Sequence, residues 1–434
     1  MTAVEMPSRQ DNASGARIDD VRRLRALRER IDRALARRGR LTFAAFMQLA
    51  LYTPGLGYYA AGAARIGAAG DFVTSPEVHP AFAALVARQV AECWELLGRP
   101  ASFTVVELGG GRGRFAADFW AALDAEHASL AAGVRYVLVD PAPGPRPPRV
   151  ERRRLPVVVE TGCVLANEVF DALPTHLVER RGGALGEVYV VARDGRLVEE
   201  LGPLSRPALR RALAASGVEL AEGQRVEVCL AAPALIARVA RVLRCGYVLA
   251  FDYGALDWAA HVARRPRGTL RTTAGHAPAG TPLDAPGEQD ITYDVDFGAL
   301  CRAAEATGLA VIGVTTQHAF LARLGWRAYL AALAHRARHA TYEANAHALR
   351  YLIKPGGLGD FIVLGLATGG APKTLSGFTP DSCIERDLLA RAARGQLAVP
   401  LLTADHAPLW AARRPAMPDF AALWDDLRSG SAEA

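Results

Sequence analysis

Through residues 18 to 38, IDDVRRLRALRERIDRALARR, apolar positions recur at helical spacing with arginine on the opposite face, which predicts an amphipathic surface helix. The arginine face reads as solvated rather than as a membrane contact. Ahead of it, MTAVEMPSRQDNASGARIDD lacks the apolar core of a signal peptide and carries Glu5, Asp11, Asp19 and Asp20, unlike an acid-poor transit peptide. It predicts a short disordered lead-in and a cytoplasmic protein. An apolar helical stretch from residue 41 then gives way at Pro54 to a glycine-rich loop running to Pro80, long enough to serve a function.

From residue 103 the pattern becomes short β-rich runs separated by helical ones: FTVVEL, a helix near 113 to 125, YVLVD, VVV, CVLANEV, and later YVLAFDYG. Such alternation predicts a mainly parallel sheet covered on both faces. Turn signals at Gly182-Gly183 and Asp194-Gly195 predict an antiparallel hairpin insertion at about 177 to 225. Helices near 232 to 244 and over VDFGALCRAAEATG, with strands VIGVTTQ and FIVLGLA, complete the pattern. The expected organisation is a lead-in and helix over 1–40, a helical and glycine-rich cap over 41–100, an α/β domain over 101–369, and an extension of unassigned role over 370–434.

Composition narrows the choice of function. The 434 residues are 51% hydrophobic, enough for a sizeable core, and no apolar run reaches the length of a membrane span. The net charge of +6 comes almost wholly from arginine, Lys354 and Lys373 being the only lysines. Basic runs such as Arg152-Arg153-Arg154 lack interleaved aromatics, so neither nucleic acid nor membrane is an expected partner. The six cysteines lie far apart without the spacing of a zinc site, and no metal is expected.

The sharpest chemical signal is Glu107-Leu108-Gly109-Gly110-Gly111-Arg112-Gly113, between a strand and a helix. Gly109, Gly111 and Gly113 let the backbone turn tightly against a nucleoside. A dinucleotide fingerprint needs glycine where Arg114 stands. An acidic residue just ahead of the glycines suits S-adenosylmethionine, whose sulfonium and amino groups are cationic, and Glu107 carries that charge. A plain glycine-rich turn also fits. Asp140, closing YVLVD, is the candidate acceptor for two ribose hydroxyls, or a surface carboxylate at a strand end.

Asn167-Glu168-Val169-Phe170-Asp171-Ala172-Leu173-Pro174 follows a strand, so its polar groups belong at the carboxyl edge of the sheet. Glu168 and Asp171 can orient a polar substrate and accept a proton, although Asn167 and Asp171 also suit helix caps. GDFVTSPE contributes Asp71, Thr74, Ser75 and Glu77, again with capping as the competing role. His276, in a Gly/Pro-rich loop, is either a base or a satisfied surface residue.

Together, TPGLGYY, GDFVTSPE, ELGGGRG, NEVFDALP, FDYG, RGTLR with the following His276, DITYDVDF, TQHAFLARLG and LIKPGGLGDF resemble the MidA-like methyltransferases in composition and order, from about residue 41 to 369. That resemblance implies a class I methyltransferase domain: a Rossmann-like, seven-stranded, mainly parallel α/β sheet with helical and hairpin insertions. It implies S-adenosyl-L-methionine as cofactor, held by ELGGGRG and Asp140 with GDFVTSPE and Asn167 completing the pocket. Because mitochondrial members methylate arginine in a complex I subunit, it implies a protein arginine acceptor. A small-molecule or peptide natural-product acceptor, or a non-catalytic assembly role, are the alternatives. The candidate acid-base residues are Asp171, Glu168, Asp71, Glu77 and His276. Two departures stand out: PAPGPRPPR after Asp140, which cannot form an ordinary helix, and the segment beyond residue 370.

Overall fold

A computed structural model describes residues 9–61, 74–141, 144–154, 157–274, 277–336, 339–380, 383–403 and 405–406. Helix α1 (Arg9–Arg38) already begins inside the stretch expected to be a disordered lead-in. Its Leu27, Ile31 and Leu35, four residues apart, pack on Phe43, Phe46 and Met47 of α2 (Phe43–Tyr52). The Thr42 hydroxyl caps α2 by accepting the Ala45 N–H at 3.2 Å. Strand β1 (Leu41–Thr42) joins the two helices; α3 (Ser75–Val78), α4 (Ala81–Leu96) and, after β2 (Phe103–Leu108), α5 (Arg114–Glu126) follow.

The central sheet is mixed. In chain order its strands are β2, β3 (Val134–Val139), β4 (Val150–Arg153), β5 (Val159–Asn167), β10 (Leu243–Asp252), β16 (Ala310–Thr316) and β17 (Ile362–Ala367). They lie in the order β16-β17-β10-β5-β2-β3-β4. Pairings from β10 to β4 are parallel, whereas β17 runs antiparallel to both β10 and β16. One expected strand is displaced: the VVV run contributes only Val159, to β5, and the strand before it is the arginine-bearing β4.

β2 is buried throughout, and its two parities face two cores. Phe103 and Val105 join Phe82, Phe119 and Tyr136, while Val106 and Leu108 join Ile236, Phe297 and Leu300 on the other face. Apolar side chains on both faces are what a strand between two helical layers requires.

The predicted hairpin is larger than expected. β6 (His176–Arg181), β7 (Ala184–Arg193), β8 (Arg196–Gly202) and β9 (Arg225–Val228) form a separate antiparallel sheet completed by β1. Both turn pairs have positive φ, Gly182 +62° with Gly183 +75°, and Asp194 +49° with Gly195 +75°, as two-residue hairpins demand. Short strands β11 (Gly254–Ala255), β12 (Arg271–Ala274), β13 (Ala277–Pro278), β14 (Asp290–Thr292) and β15 (Val295–Asp296) lie beyond β10. No helix among the described residues is long and apolar enough to cross a membrane, and they contain no cluster of potential metal ligands.

Candidate active site

A cleft of about 840 Å³ opens at the carboxyl ends of β2, β3, β5 and β10. The chain passes from β2 to β3 on one side and later returns to β5 on the other, and open α/β sheets bind ligands at such a reversal.

The glycine segment forms one half. Gly109, Gly111 and Gly113 have φ of +69°, +49° and +76°. A Cβ on Gly110 would lie 2.7 Å from Leu138 Cδ1, and one on Gly113 2.5 Å from Pro147 Cγ, so neither position has room for a side chain. Gly113 does not line the cleft; it starts α5 and seats the proline-rich segment.

Strand parity turns Glu107 into the core that holds Tyr136, whose hydroxyl donates to Oε2 at 2.8 Å. Burial raises its carboxyl to about 7, with the Tyr136 bond opposing the rise. Asp140 Oδ2 accepts the Gly111 N–H at 2.8 Å, and Oδ1 lies 3.6 Å from the Arg152 guanidinium. Arg152 also donates to the Gly111 carbonyl at 3.2 Å, so β4 and the chain after Asp140 brace the loop where an ordinary helix was not expected. Thr74 and Glu77 line this half; burial raises the Glu77 carboxyl, opposed by Arg114 and Arg112. Ser75 is turned away, donating to Gln317 Oε1 at 3.2 Å, and corrects the expectation that its hydroxyl faces the cofactor. Thr74 makes no side-chain cap to α3, so capping does not account for it.

The NEVFDALP segment forms the other half and contains no helix, which removes the capping alternative for Asn167 and Asp171. Asn167 Nδ2 donates to Glu168 Oε1 at 3.0 Å, while its buried Oδ1 has no hydrogen-bond partner. Glu168 takes a positive φ of +49°, held by its N–H on the Phe251 carbonyl at 2.8 Å. Burial, then the charge of Asp171, raises its carboxyl to about 8. Asp171 is raised to about 6 by burial, against the opposing effects of Tyr253 and Arg271. The Tyr253 hydroxyl donates to Asp171 Oδ2, and Oδ1 is buried without a partner.

Sequence reasoning missed the scaffold around these carboxylates. Asp252, fully buried at the end of β10, accepts from three consecutive N–H groups through Oδ2: Val169 at 3.2, Phe170 at 2.9 and Asp171 at 3.3 Å. Its Oδ1 accepts the Tyr253 N–H at 3.0 Å. The Tyr293 hydroxyl donates to the Phe170 and Leu173 carbonyls, each at 2.9 Å. Beside them, Tyr52 donates to the Ala172 carbonyl at 2.9 Å and Tyr59 to Asp290 Oδ1 at 2.5 Å. The Arg271 guanidinium lies 4.6 Å over the Tyr253 ring and donates to Asp294 at 2.6 Å. Apart from Tyr52, which directly precedes TPGLGYY, these residues belong to TPGLGYY, FDYG, RGTLR and DITYDVDF, so the signal lay in segments whose side chains were not assigned a role. Asp71 and His276 lie outside the described residues.

A glycine-turned nucleoside cradle beside buried carboxylates defines a cofactor-dependent group-transfer enzyme. Residues 85–315, more than half of the chain, match the family described as "Putative S-adenosyl-L-methionine-dependent methyltransferase", and the chain belongs to that family, with S-adenosyl-L-methionine as its cofactor. It is 30% identical over 360 residues to a mitochondrial protein arginine methyltransferase NDUFAF7 homolog of Drosophila melanogaster, covering 74% of this chain and 80% of that one. To the mitochondrial protein arginine methyltransferase NDUFAF7 of Danio rerio it is 29% identical, over 66% of this chain and 74% of the relative. A crystal structure of a Burkholderia thailandensis superfamily member bound to S-adenosyl-homocysteine superposes with a TM-score of 0.74 at 29% identity, over 87% of this chain and 98% of that one. The cytoplasmic expectation is corrected by these comparisons: the curated relatives bear mitochondrial names, and an acidic amino-terminal stretch does not define a compartment.

Proposed function

We propose that this enzyme is a class I, Rossmann-like methyltransferase that methylates a guanidinium nitrogen of arginine in a protein. The names of the relatives support a protein arginine acceptor. The observation that carries the reading is Asp171, a carboxylate lining the cleft with one oxygen held by Tyr253 and the other buried without a hydrogen-bond partner.

In this reading Gly109 and Gly111, Glu107 and Asp140 hold the cofactor, with Gly113 setting the loop and Thr74 and Asn167 completing the pocket. The site fits that ligand: a buried carboxylate answers its cationic amino acid portion, positive-φ glycines admit the nucleoside, and Asn167 Oδ1 awaits a donor. When bound, S-adenosylmethionine supplies an electrophilic methyl group. The chain's part is to align the nucleophile, exclude water and take up a proton. A guanidinium stays charged to a pKa of about 12.5 to 13.8, so it needs carboxylates to orient it. In this reading the Asp171 carboxylate takes its proton, with Glu168 as the second carboxyl group. Tyr52, Tyr59 and Tyr253 wall the acceptor side.

The test is incubation with methyl-labelled cofactor and a cell lysate. Label is expected in protein, released as methylated arginine on acid hydrolysis. Label confined to small molecules, or absent everywhere, overturns the arginine reading.

A further inference from the structure

The charges of α1 fall into two groups. Toward its middle, Arg23 pairs with Asp20, Arg25 with Glu29 and Arg28 with Asp32, at 2.9, 3.2 and 3.0 Å. In its last turns, Arg30, Arg33, Arg37 and Arg38 have no carboxylate partner among the described residues; Arg33 donates only to the Glu29 carbonyl. These four arginines converge on a groove of about 450 Å³ between α1 and α2, whose floor includes Ala34, Leu41 and Leu49.

We infer that this groove is a docking site for an acidic, amphipathic segment of the protein that is methylated. Four guanidinium groups without a carboxylate partner among the described residues, above an apolar floor, complement a segment with carboxylates on its edges and aliphatic side chains beneath. Location ties the groove to the reaction. Leu49 lies in the groove and Tyr52, one helical turn further along α2, lies in the cleft. A residue three positions on is displaced by about 5 Å along a helix axis, so the groove and the cleft adjoin along α2. A membrane surface is disfavoured by α1 itself. Its apolar face, Leu27, Ile31 and Leu35, is spent in the core, whereas a helix lying on a bilayer must present that face to lipid.

The partner's being the methyl acceptor rests on the function proposed above; the chemistry of the groove does not. The experiment therefore has two arms, both on the full chain. In the first, a fluorescein-labelled helical peptide of about 16 residues, glutamate on one face and leucine on the other, is titrated by anisotropy. Saturable binding is expected, weakened at least about tenfold by Arg33→Glu with Arg37→Glu and by salt raised to about 0.3 M. Arg33→Gln with Arg37→Gln should fall between, and calorimetric affinity for S-adenosylmethionine should not change in either variant. Binding indifferent to charge reversal, or capture of phosphatidylglycerol vesicles in preference to the peptide, overturns the proposal. In the second arm, charge reversal should lower lysate protein labelling at low lysate concentration and converge with the parent at high concentration. Convergence failing, with peptide binding intact, overturns the acceptor assignment. If no label enters protein while the peptide still binds, the arginine reading fails and the groove stands.

Discussion

The two halves of the cleft are built differently. The cofactor half comes from one short segment and its neighbouring strands, and its main polar groups are tied to backbone or to a core tyrosine: Asp140 to Gly111, Arg152 to Gly111, Glu107 to Tyr136. The other half gathers Tyr52, Asp171, Tyr253, Arg271 and Asp290 from a stretch of more than two hundred residues, and leaves one oxygen of Asp171 unsatisfied. A half that always meets the same ligand can be fixed by glycine geometry. The other half keeps carboxyl groups under burial stress, Asp171 raised to about 6 and Glu168 to about 8, as a half proposed to take up a proton would need.

The widest separation of the halves should come from Asp171→Asn, which keeps the shape and removes the proton acceptor. Turnover should fall by about 10³-fold, within the range general-base loss produces, with calorimetric affinity for S-adenosylmethionine unchanged. Turnover within a factor of about three of the parent would remove Asp171 from the reaction. Gly111→Val should do the reverse, because a β-branched residue cannot hold the φ of +49°. Cofactor affinity should drop by about 100-fold, roughly 2.7 kcal/mol, while the circular dichroism of the fold persists. A variant that bound cofactor normally would break the assignment of the glycine half.

Asp252→Ala probes the scaffold between them. It leaves four backbone N–H groups, those of Phe170 and Asp171 buried, without their acceptor, and at about 1–3 kcal/mol for an unsatisfied buried group the loss should be around 3 kcal/mol, read by urea denaturation. Asp252→Asn keeps one accepting oxygen and should recover part of that stability and of kcat. A full return of stability without any return of kcat would mean that Asp252 serves the fold alone.

The pH profile sharpens the contrast further. A carboxyl raised by burial is a base only above its folded pKa, so kcat/KM should climb as pH rises through about 6 and again toward about 8. The two steps belong to the Asp171–Glu168 pair, not to either residue singly. Each step should be worth about tenfold per pH unit below its pKa, and Asp171→Asn should remove one of them. A profile flat from pH 5 to about 9 would exclude carboxylates as the proton acceptor.

Sequence patterns revealed the cofactor half because its determinants are local: strand, glycine run and helix adjoin in the chain, and strand parity alone places Glu107. They also revealed both hairpin turns, since positive φ at Gly182 and Gly195 is a property of the residue itself. The acceptor half was less legible. Nothing in FDYG announces that Asp252 will hold the backbone of residues 169–171, because the bond joins residues 81 to 83 positions apart. Ser75 shows the same limit in reverse: a hydroxyl in a well-placed loop is claimed by Gln317, 242 positions away. The displaced strand β4 has a similar cause. Its arginines were read as a charged run, yet at a sheet edge Val150 alone needs to be buried, and Arg152 gains the Gly111 carbonyl on the glycine loop and the carboxylate of Asp140.

The smallest expected effect is thermodynamic and separates stability from function within one residue. Glu168 titrates at about 8 when folded and at 4.5 in the reference state. Between those values the folded chain holds a proton that the unfolded chain has released, so stability contributed by this group falls as pH rises from 4.5 to about 8, and changes no further above it. A glutamine amide has no such proton to lose. Glu168→Gln should therefore be neutral near pH 4.5 and increasingly stabilising relative to the parent up to pH 8. Because part of the side chain faces the open cleft, the gain is set at about 1 kcal/mol rather than the full linkage value. Thermal melts at several pH values measure it. If the proposed function holds, the same variant should lose activity, since there the carboxyl group whose burial weakens the fold is the second one to face the guanidinium. A variant that is stabilised and fully active would assign Glu168 to the cofactor half and leave Asp171 alone on the acceptor side.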